Sequence, residues 1–216
     1  MKFLGLCLLQ AQNRAPSIRH LFSNDVLYFS PIFQHTMPGR RFQQLIRCIN
    51  GHYGNNEVDY SEKLHKILPI INPILYNFQR AFSPKKEISL DESLLLFRGR
   101  LSFRQYIKGK KARYGIKFYE LTTSDGYVLN IEIYQGKTDQ SVKSSKVNDL
   151  VLRLLKPYLD KGHHLYMDNF YNSIELSKEL LKYKTHTTGM LRTNRKGNPI
   201  EVTSKKLKKG EHKWNR

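Results

Sequence analysis

Cysteine is scarce in this 216-residue sequence, which contains only Cys7 and Cys48. Two cysteines exclude a disulfide framework or a cysteine-rich zinc module within the chain. Long hydrophobic runs are also missing, since no stretch approaches the roughly 18 apolar residues that a membrane span needs. Residues 1–10 are similar to a short signal peptide, but the poor cleavage site that follows favours an amphipathic helix. We therefore expect no membrane partner.

Acidic residues are few: 18 Asp and Glu stand against 37 Lys and Arg, for a formal net charge of +19. So basic a chain favours a polyanionic partner, nucleic acid first and an anionic membrane surface second. A soluble basic protein with no such partner is the alternative. The chain has no nucleophile-elbow motif and no phosphate-cradling glycine loop, which argues against serine hydrolases and P-loop enzymes.

The first part of the chain, residues 1–83, is predicted to be helical. Between residues 37 and 49 apolar side chains recur at the spacing of one helix face, at Phe42, Leu45, Ile46 and Ile49. A second helix is predicted over residues 64–82, where we expect Pro69 and Pro73 to kink it or divide it in two.

From residue 84 to residue 216 the pattern changes to strands separated by helices. The predicted strands cover residues 88–97, 115–123, 126–135, 164–168 and 185–191, and the predicted helices 147–158 and 173–183. Asp125-Gly126 between two alternating runs indicates a β-hairpin. A meander followed by this βαβαβ order predicts an α/β fold with a mixed sheet flanked by helices.

Ribonuclease-H-like folds share this order and carry one acid on the first strand and another at the end of the fourth. Asp91 and Asp168 occupy those two places, and the topology makes their strands neighbours. A carboxylate in an apolar strand needs a partner or a metal ion. The two Asp therefore suggest a shared cation site; the alternative is that they cap strand ends or pair with nearby Lys and Arg.

A basic loop with aromatic neighbours follows the first strand. We predict that its cations contact DNA phosphates, namely Arg100, Arg104, Lys108, Lys110, Lys111 and Arg113. Phe103, Tyr106 or Tyr114 could stack on exposed bases. The alternative is an exposed cationic turn whose aromatic side chains point inward. Further DNA contacts are predicted at Arg192, Arg195 and Lys196.

Several ordered motifs resemble the piggyBac transposase family. They are Ser89-Leu90-Asp91-Glu92, Phe97-Arg98-Gly99-Arg100, Gln105-Tyr106-Ile107, Tyr114-Gly115-Ile116-Lys117, Gly126-Tyr127-Val128-Leu129, Tyr134-Gln135-Gly136-Lys137, His163-His164-Leu165-Tyr166-Met167-Asp168-Asn169-Phe170-Tyr171 and Gly189-Met190-Leu191-Arg192-Thr193-Asn194-Arg195-Lys196-Gly197. The similarity extends to the N-terminal helices and covers essentially the whole chain. An ordered series of motifs is far more specific than any one of them.

The resemblance implies a ribonuclease-H-like catalytic domain that cuts and joins DNA at TTAA targets, with divalent metal and three Asp. The family's first two acids match Asp91 and Asp168, which are thus implied to be catalytic and to bind Mg²⁺ or Mn²⁺. The family's third acid lies in a motif that follows the equivalent of Arg216. We therefore expect a fragment with an incomplete catalytic domain, weak metal binding and little or no cleavage.

The rival hypothesis is a domesticated DNA-binding or interaction module without catalysis. Either hypothesis makes DNA the partner, leaves a homodimer open and implies a nuclear location. Lys205-Lys206-Leu207-Lys208-Lys209 is compatible with an import signal, and equally with a solvated run of charge.

Overall fold

The computed structural model describes residues 1–49, 63–109, 113–136, 145–204 and 206–212. The chain divides into two compact units, Met1–Pro69 and Ile70–Arg216. The boundary at residue 69 comes before the change from helical to strand-forming sequence at residue 84. The reason is that most of the helix of residues 68–81 belongs to the second unit. Our division into domains at residues 83 and 84 stays a prediction.

The first unit is helical, as predicted. Its helices are α1 (Lys2–Gln12), α2 (Ile18–Leu21), α3 (Pro31–Thr36) and α4 (Gly39–Cys48). Helix α1 covers the N-terminal segment, and the choice of an amphipathic helix over a signal peptide stays a prediction. A small apolar core holds the unit together and consists of Leu6, Leu21, Phe33 and Phe42. The Phe22 ring packs against it, with its centroid 5.5 Å from that of Phe33 and 5.2 Å from that of Phe42.

Helix α5 (Leu68–Ala81) is continuous, so the prolines do not divide it in two, while the alternative that they kink it stays a prediction. Pro69 lies in the first turn, where the helix needs no backbone N–H from it. Pro73 lies inside the helix and forfeits one backbone hydrogen bond without ending it. The C-terminal end of α5 is anchored by Tyr127, whose hydroxyl donates a hydrogen bond to the Phe78 carbonyl at 2.9 Å.

The remaining elements of the second unit alternate between strands and helices. They are β1 (Glu87–Leu96), β2 (Gln105–Tyr106), β3 (Tyr114–Thr123), β4 (Val128–Ile133), α6 (Ser145–Leu155), β5 (His164–Met167), α7 (Ile174–Lys182), β6 (His186–Gly189) and α8 (Ile200–Thr203), with a 3₁₀ turn at Lys156–Tyr158. Only the two-residue strand β2 was not predicted from the sequence as a strand. A strand that short carries too little alternation to be recognised.

The six strands form one mixed sheet with β1 near its centre. Strand β3 pairs antiparallel with β1, β2 and β4, while β5 pairs parallel with β1 and β6 parallel with β5. The predicted hairpin joins β3 to β4, and Gly126 has the positive φ of 89° that its turn requires. The predicted mixed sheet is thus confirmed.

Helices α6 and α7 pack on one face of this sheet. Their apolar side chains and those of the strands form one buried cluster, which includes Ile88, Leu90, Leu121, Leu129, Leu154, Leu155, Leu165, Leu176 and Leu180. Burying each such side chain contributes about 1.5–3 kcal/mol. No helix in the described part of the chain is long and apolar enough to cross a membrane.

Candidate metal and DNA-binding site

Asp91 lies in the middle of β1, on the face opposite the apolar core. Ile88 and Leu90 point into the core and are buried, whereas Asp91 is exposed. The period of two along a strand produces this division. The carboxylate oxygen Oδ1 of Asp91 accepts a hydrogen bond from the backbone N–H of Glu92 at 2.8 Å.

Asp168 directly follows β5 and comes to lie beside Asp91. Leu90 and Met167 are register partners in the parallel pairing of β1 with β5, so the next residues of the two strands are Asp91 and Asp168. Neighbouring strands are about 4.8 Å apart, and both Asp are exposed. The prediction that their strands are neighbours is confirmed; the catalytic and metal-binding roles of the two Asp stay predictions.

The alternative is that these two Asp cap strand ends or pair with Lys and Arg, and the structure shows only part of it. Asp168 caps the turn after β5, because its Oδ1 accepts a hydrogen bond from the Phe170 N–H at 2.7 Å. Across the described ranges, the ion pairs join Arg153 to Glu132 and Lys182 to Glu179, and neither contains Asp91 or Asp168.

The donor set suits a hard divalent cation but is small. Carboxylate oxygens are the ligands that Mg²⁺ prefers, and the fold presents two of them on one open face. No cluster of three or more His, Cys, Asp or Glu that could hold a metal ion occurs in the described residues. Glu120 is the register partner of Asp91 on β3, but its Oε1 accepts a hydrogen bond from the Ser93 hydroxyl at 2.6 Å.

Two buried phenols lie beneath Asp91, on the core face of the sheet. Burial, reinforced first by the negative charge of Glu92, raises the pKa of Tyr171; Asp91 and Asp168 add to the effect. The Tyr171 hydroxyl is 3.5 Å from Glu92 Oε2. Burial also raises the pKa of Tyr119 to about 12. Both phenols therefore stay protonated at neutral pH. Their proximity to the acids was not predicted, because it depends on a contact spanning 79 residues of sequence.

Four of the six cations predicted in the basic loop are described, and all four are exposed: Arg100, Arg104, Lys108 and Arg113. Lys110 and Lys111 lie outside the described residues. Arg104 also stabilises the loop, because its Nη1 donates hydrogen bonds to the carbonyls of Arg98 at 3.1 Å and Gly99 at 3.2 Å.

The aromatic residues of this loop differ in exposure: one points inward and two are available to stack on bases. Phe103 points inward and is only 5% exposed, whereas Tyr106 and Tyr114 are 52% and 48% exposed. The centroids of the two tyrosine rings lie 4.8 Å apart, and the Arg104 guanidinium is 5.5 Å from the Tyr114 ring. The exposed pair has the chemistry of a base-stacking surface.

The second set of predicted DNA contacts lies close to Asp168. Lys196 is exposed. Arg192 is also exposed, and its Nε donates a hydrogen bond to Asn169 Oδ1 at 3.2 Å. Arg195 is half-buried and directs its guanidinium toward main-chain carbonyls. The structure therefore brings Arg192 and Arg195 into contact with the residues that directly follow Asp168.

Residues 1–215 of the 216 match the model of one protein family, Transposase IS4. This protein is a member of that family, of the piggyBac type. Two human relatives show the type. PiggyBac transposable element-derived protein 2 is 30% identical over 162 residues, which are 72% of this chain and 27% of the relative. PiggyBac transposable element-derived protein 3 is 26% identical over 197 residues, or 88% and 33%.

A solved piggyBac transposase has the same fold. The cryo-EM structure of the piggyBac transposase synaptic complex with hairpin DNA superposes with a TM-score of 0.81 at 27% identity. The superposition covers 96% of this chain and 44% of that chain. The chain spans about a third or less of the length of the two human relatives named above.

Proposed function

We propose that this piggyBac-type chain binds DNA and contributes Asp91 and Asp168 to metal-dependent DNA cleavage and strand transfer at TTAA targets. The observation that carries the proposal is that the two acids lie side by side, each directly after one of the register partners Leu90 and Met167 of the parallel strands β1 and β5. The similar solved transposase is described as a complex with hairpin DNA, which supports DNA as the ligand.

Asp91 and Asp168 would hold Mg²⁺ or Mn²⁺ through their carboxylate oxygens. Such an ion, when bound, activates the attacking oxygen and stabilises the leaving oxygen at a scissile phosphate. The exposed cations, Arg100 and Arg113 among them, orient the DNA by neutralising its phosphates. Because no group of three or more His, Cys, Asp or Glu in the described part of the chain could hold a metal ion, we expect weak metal binding and slow cleavage.

A second candidate function is DNA binding without catalysis, as in a domesticated interaction module. The small size of the donor set favours it, because no group of three or more potential metal ligands occurs in the described residues. Both candidate functions use the basic surface. They differ in whether a divalent ion binds at Asp91 and Asp168.

Partner and location follow from the DNA ligand. The net charge of +19 supports a polyanionic partner, and a DNA substrate implies the nucleus. Four of the five residues in the basic run 205–209 are described, and Lys206, Lys208 and Lys209 are exposed, as an import signal requires. A homodimer remains part of the proposal and would be read from the molecular mass in solution.

The test is a cleavage and strand-transfer assay on TTAA-flanked DNA with Mg²⁺ or Mn²⁺. We expect weak activity that is lost in both Asp91→Asn and Asp168→Asn. Asp160→Asn is the matched control, because Asp160 is exposed and its φ of 64° suits Asn equally well. Cleavage that persists in both site variants refutes the catalytic proposal. Salt-sensitive DNA binding without any cleavage selects the non-catalytic candidate.

A further inference from the structure

The turn that follows Asp168 is held by a segment more than 20 residues further along the chain. The turn consists of residues 168–172 and the segment of residues 192–198, which we name the brace. Within the turn, the Asn172 N–H donates a hydrogen bond to the Asp168 carbonyl at 3.2 Å. The Phe170 N–H donates to the Asp168 carboxylate. The direction of that carboxylate therefore depends on where Phe170 lies.

Arg195 makes the central contact between the brace and the turn. Its Nη2 donates hydrogen bonds to the carbonyl of Asn169, at 3.1 Å, and to the carbonyl of Phe170. Its Nε is buried and has no hydrogen-bond partner among the residues that the structure describes. The guanidinium thus faces the protein interior and holds both peptide groups next to the Asp168 cap.

The brace is itself ordered by internal hydrogen bonds. The Arg195 N–H donates to the Arg192 carbonyl at 3.0 Å. Asn198 Nδ2 donates to the carbonyls of Arg192 at 2.7 Å and Thr193 at 3.3 Å. A guanidinium presented from such a turn loses little further conformational freedom when it binds the two carbonyls.

We propose that Arg195 is a positioning residue that fixes the turn after β5 and thereby directs the Asp168 carboxylate toward the face it shares with Asp91. The role rests on the proposed function, because the pair of acids is what it prepares. It differs from the phosphate contact that the sequence predicts for Arg195. A guanidinium whose Nη2 donates to two main-chain carbonyls, and whose Nε is buried, has few N–H donors left for a DNA phosphate.

The positioning role and a phosphate contact predict different results for Arg195→Gln. A positioning residue controls the opening of the turn, so backbone hydrogen exchange at Phe170 should become about tenfold faster or more. The affinity for Mn²⁺ should fall about tenfold, as when groups that orient metal ligands are removed. A phosphate contact would leave exchange unchanged and lower the salt dependence of DNA binding by about one unit of slope.

The experiment compares the full chain with its Arg195→Gln, Arg195→Lys and Lys196→Gln variants. Exchange is measured at residues 168–171 and, as a check on folding, in β3; Mn²⁺ binding is followed by electron paramagnetic resonance. We expect Lys196→Gln to match the unaltered chain in exchange and Arg195→Lys to recover part of the protection, since an ammonium can still donate to one carbonyl.

Unchanged exchange at Phe170 in Arg195→Gln, with β3 intact, overturns the proposal. So does faster exchange that Lys196→Gln reproduces. If the unaltered chain binds neither Mn²⁺ nor DNA, the proposed function fails. The exchange comparison still decides whether Arg195 holds the turn, because it needs neither ligand.

Discussion

Asp91 and Glu92 are consecutive residues of β1 and lie on opposite faces of the sheet. The two faces differ in their chemistry. Asp91 is exposed on the open face, while Glu92 on the other face lies near the buried phenol of Tyr171. Tyr119 is the register partner of Glu92 and shares that environment. The phenols therefore place protonated, uncharged groups beneath the acids at neutral pH.

The free energy of unfolding at high pH should depend on the raised pKa of the buried Tyr119. The pKa of Tyr119 is raised to about 12, against about 10 in an unfolded chain. Its contribution is fully present below pH 10 and is lost as the pH rises toward 12, because the unfolded state then releases its proton first. We expect the free energy of unfolding to fall more steeply in this window than in Tyr119→Phe, by up to about 1.4 kcal/mol per pH unit.

Denaturant titrations from pH 8 to pH 12 measure this difference. Tyr171 is present in both proteins, so the difference reports Tyr119 together with its smaller effect on the pKa of Tyr171. Parallel curves for the two proteins would contradict the shift.

Gly189 allows β6 to approach β5 closely. A Cβ at this position would lie 2.1 Å from the Met167 carbonyl oxygen and 3.1 Å from Asn172 Nδ2. We expect Gly189→Ala to lower the free energy of unfolding by about 1–3 kcal/mol, since the backbone next to Asp168 must move. Gly109→Ala is the control, because a Cβ there meets no described atom within 4 Å. Chemical denaturation that gives equal values for both variants would contradict this reason.

Sequence reasoning at the residue scale succeeded where a local pattern carried the information. The alternation along β1 places Asp91 opposite the core side chains, and the order of strands places Asp168 beside it. The contacts of Arg195 were not predicted, because its carbonyl partners lie 25 and 26 residues away in sequence. Likewise, nothing local distinguishes the buried Phe103 from the exposed Tyr106.

At the scale of elements, the helices and strands follow their apolar periodicity closely. Helix α7 begins one residue after Ser173 and ends at Lys182, within the predicted range of 173–183. Helix α5 shows the limit of such reasoning. Pro73 lies inside a helix that continues past it, so the division in two that the sequence allows does not occur there.

The start of α7 should depend on its cap. Ser173 Oγ accepts a hydrogen bond from the Leu176 N–H at 3.1 Å, which satisfies one of the free donors of the first turn. We expect Ser173→Ala to cost about 1 kcal/mol of stability, measured by denaturant unfolding. Ser173→Thr keeps the accepting oxygen and should lose less. Equal losses in the two variants would assign the effect to packing instead of capping.

For the molecule as a whole, net charge is the property that bears most directly on the binding partner. The chain carries a net charge of +19, while its few described ion pairs are exposed and therefore contribute little to stability. In the described part of the chain, these two pairs hold only Arg153 and Lys182 among its many cations. Some serve the fold instead, as Lys182 does in its pair with Glu179. Net charge alone cannot separate the two groups, but the structure can.

The salt dependence of DNA binding should distinguish cations that contact DNA from cations that stabilise the fold. Arg100 is exposed in the basic loop after β1, whereas Lys182 lies on α7 and pairs with Glu179 at 2.7 Å. Arg100→Gln and Lys182→Gln each remove one positive charge, so they are matched in net charge.

Each phosphate that a cation neutralises releases a counterion and adds about 0.9 to the slope of log affinity against log salt. We expect Arg100→Gln to reduce that slope by about one and Lys182→Gln to leave it unchanged, as measured by fluorescence anisotropy with duplex DNA over a series of salt concentrations. Equal reductions would mean that the whole positive field of the molecule, and not the loop, carries the binding.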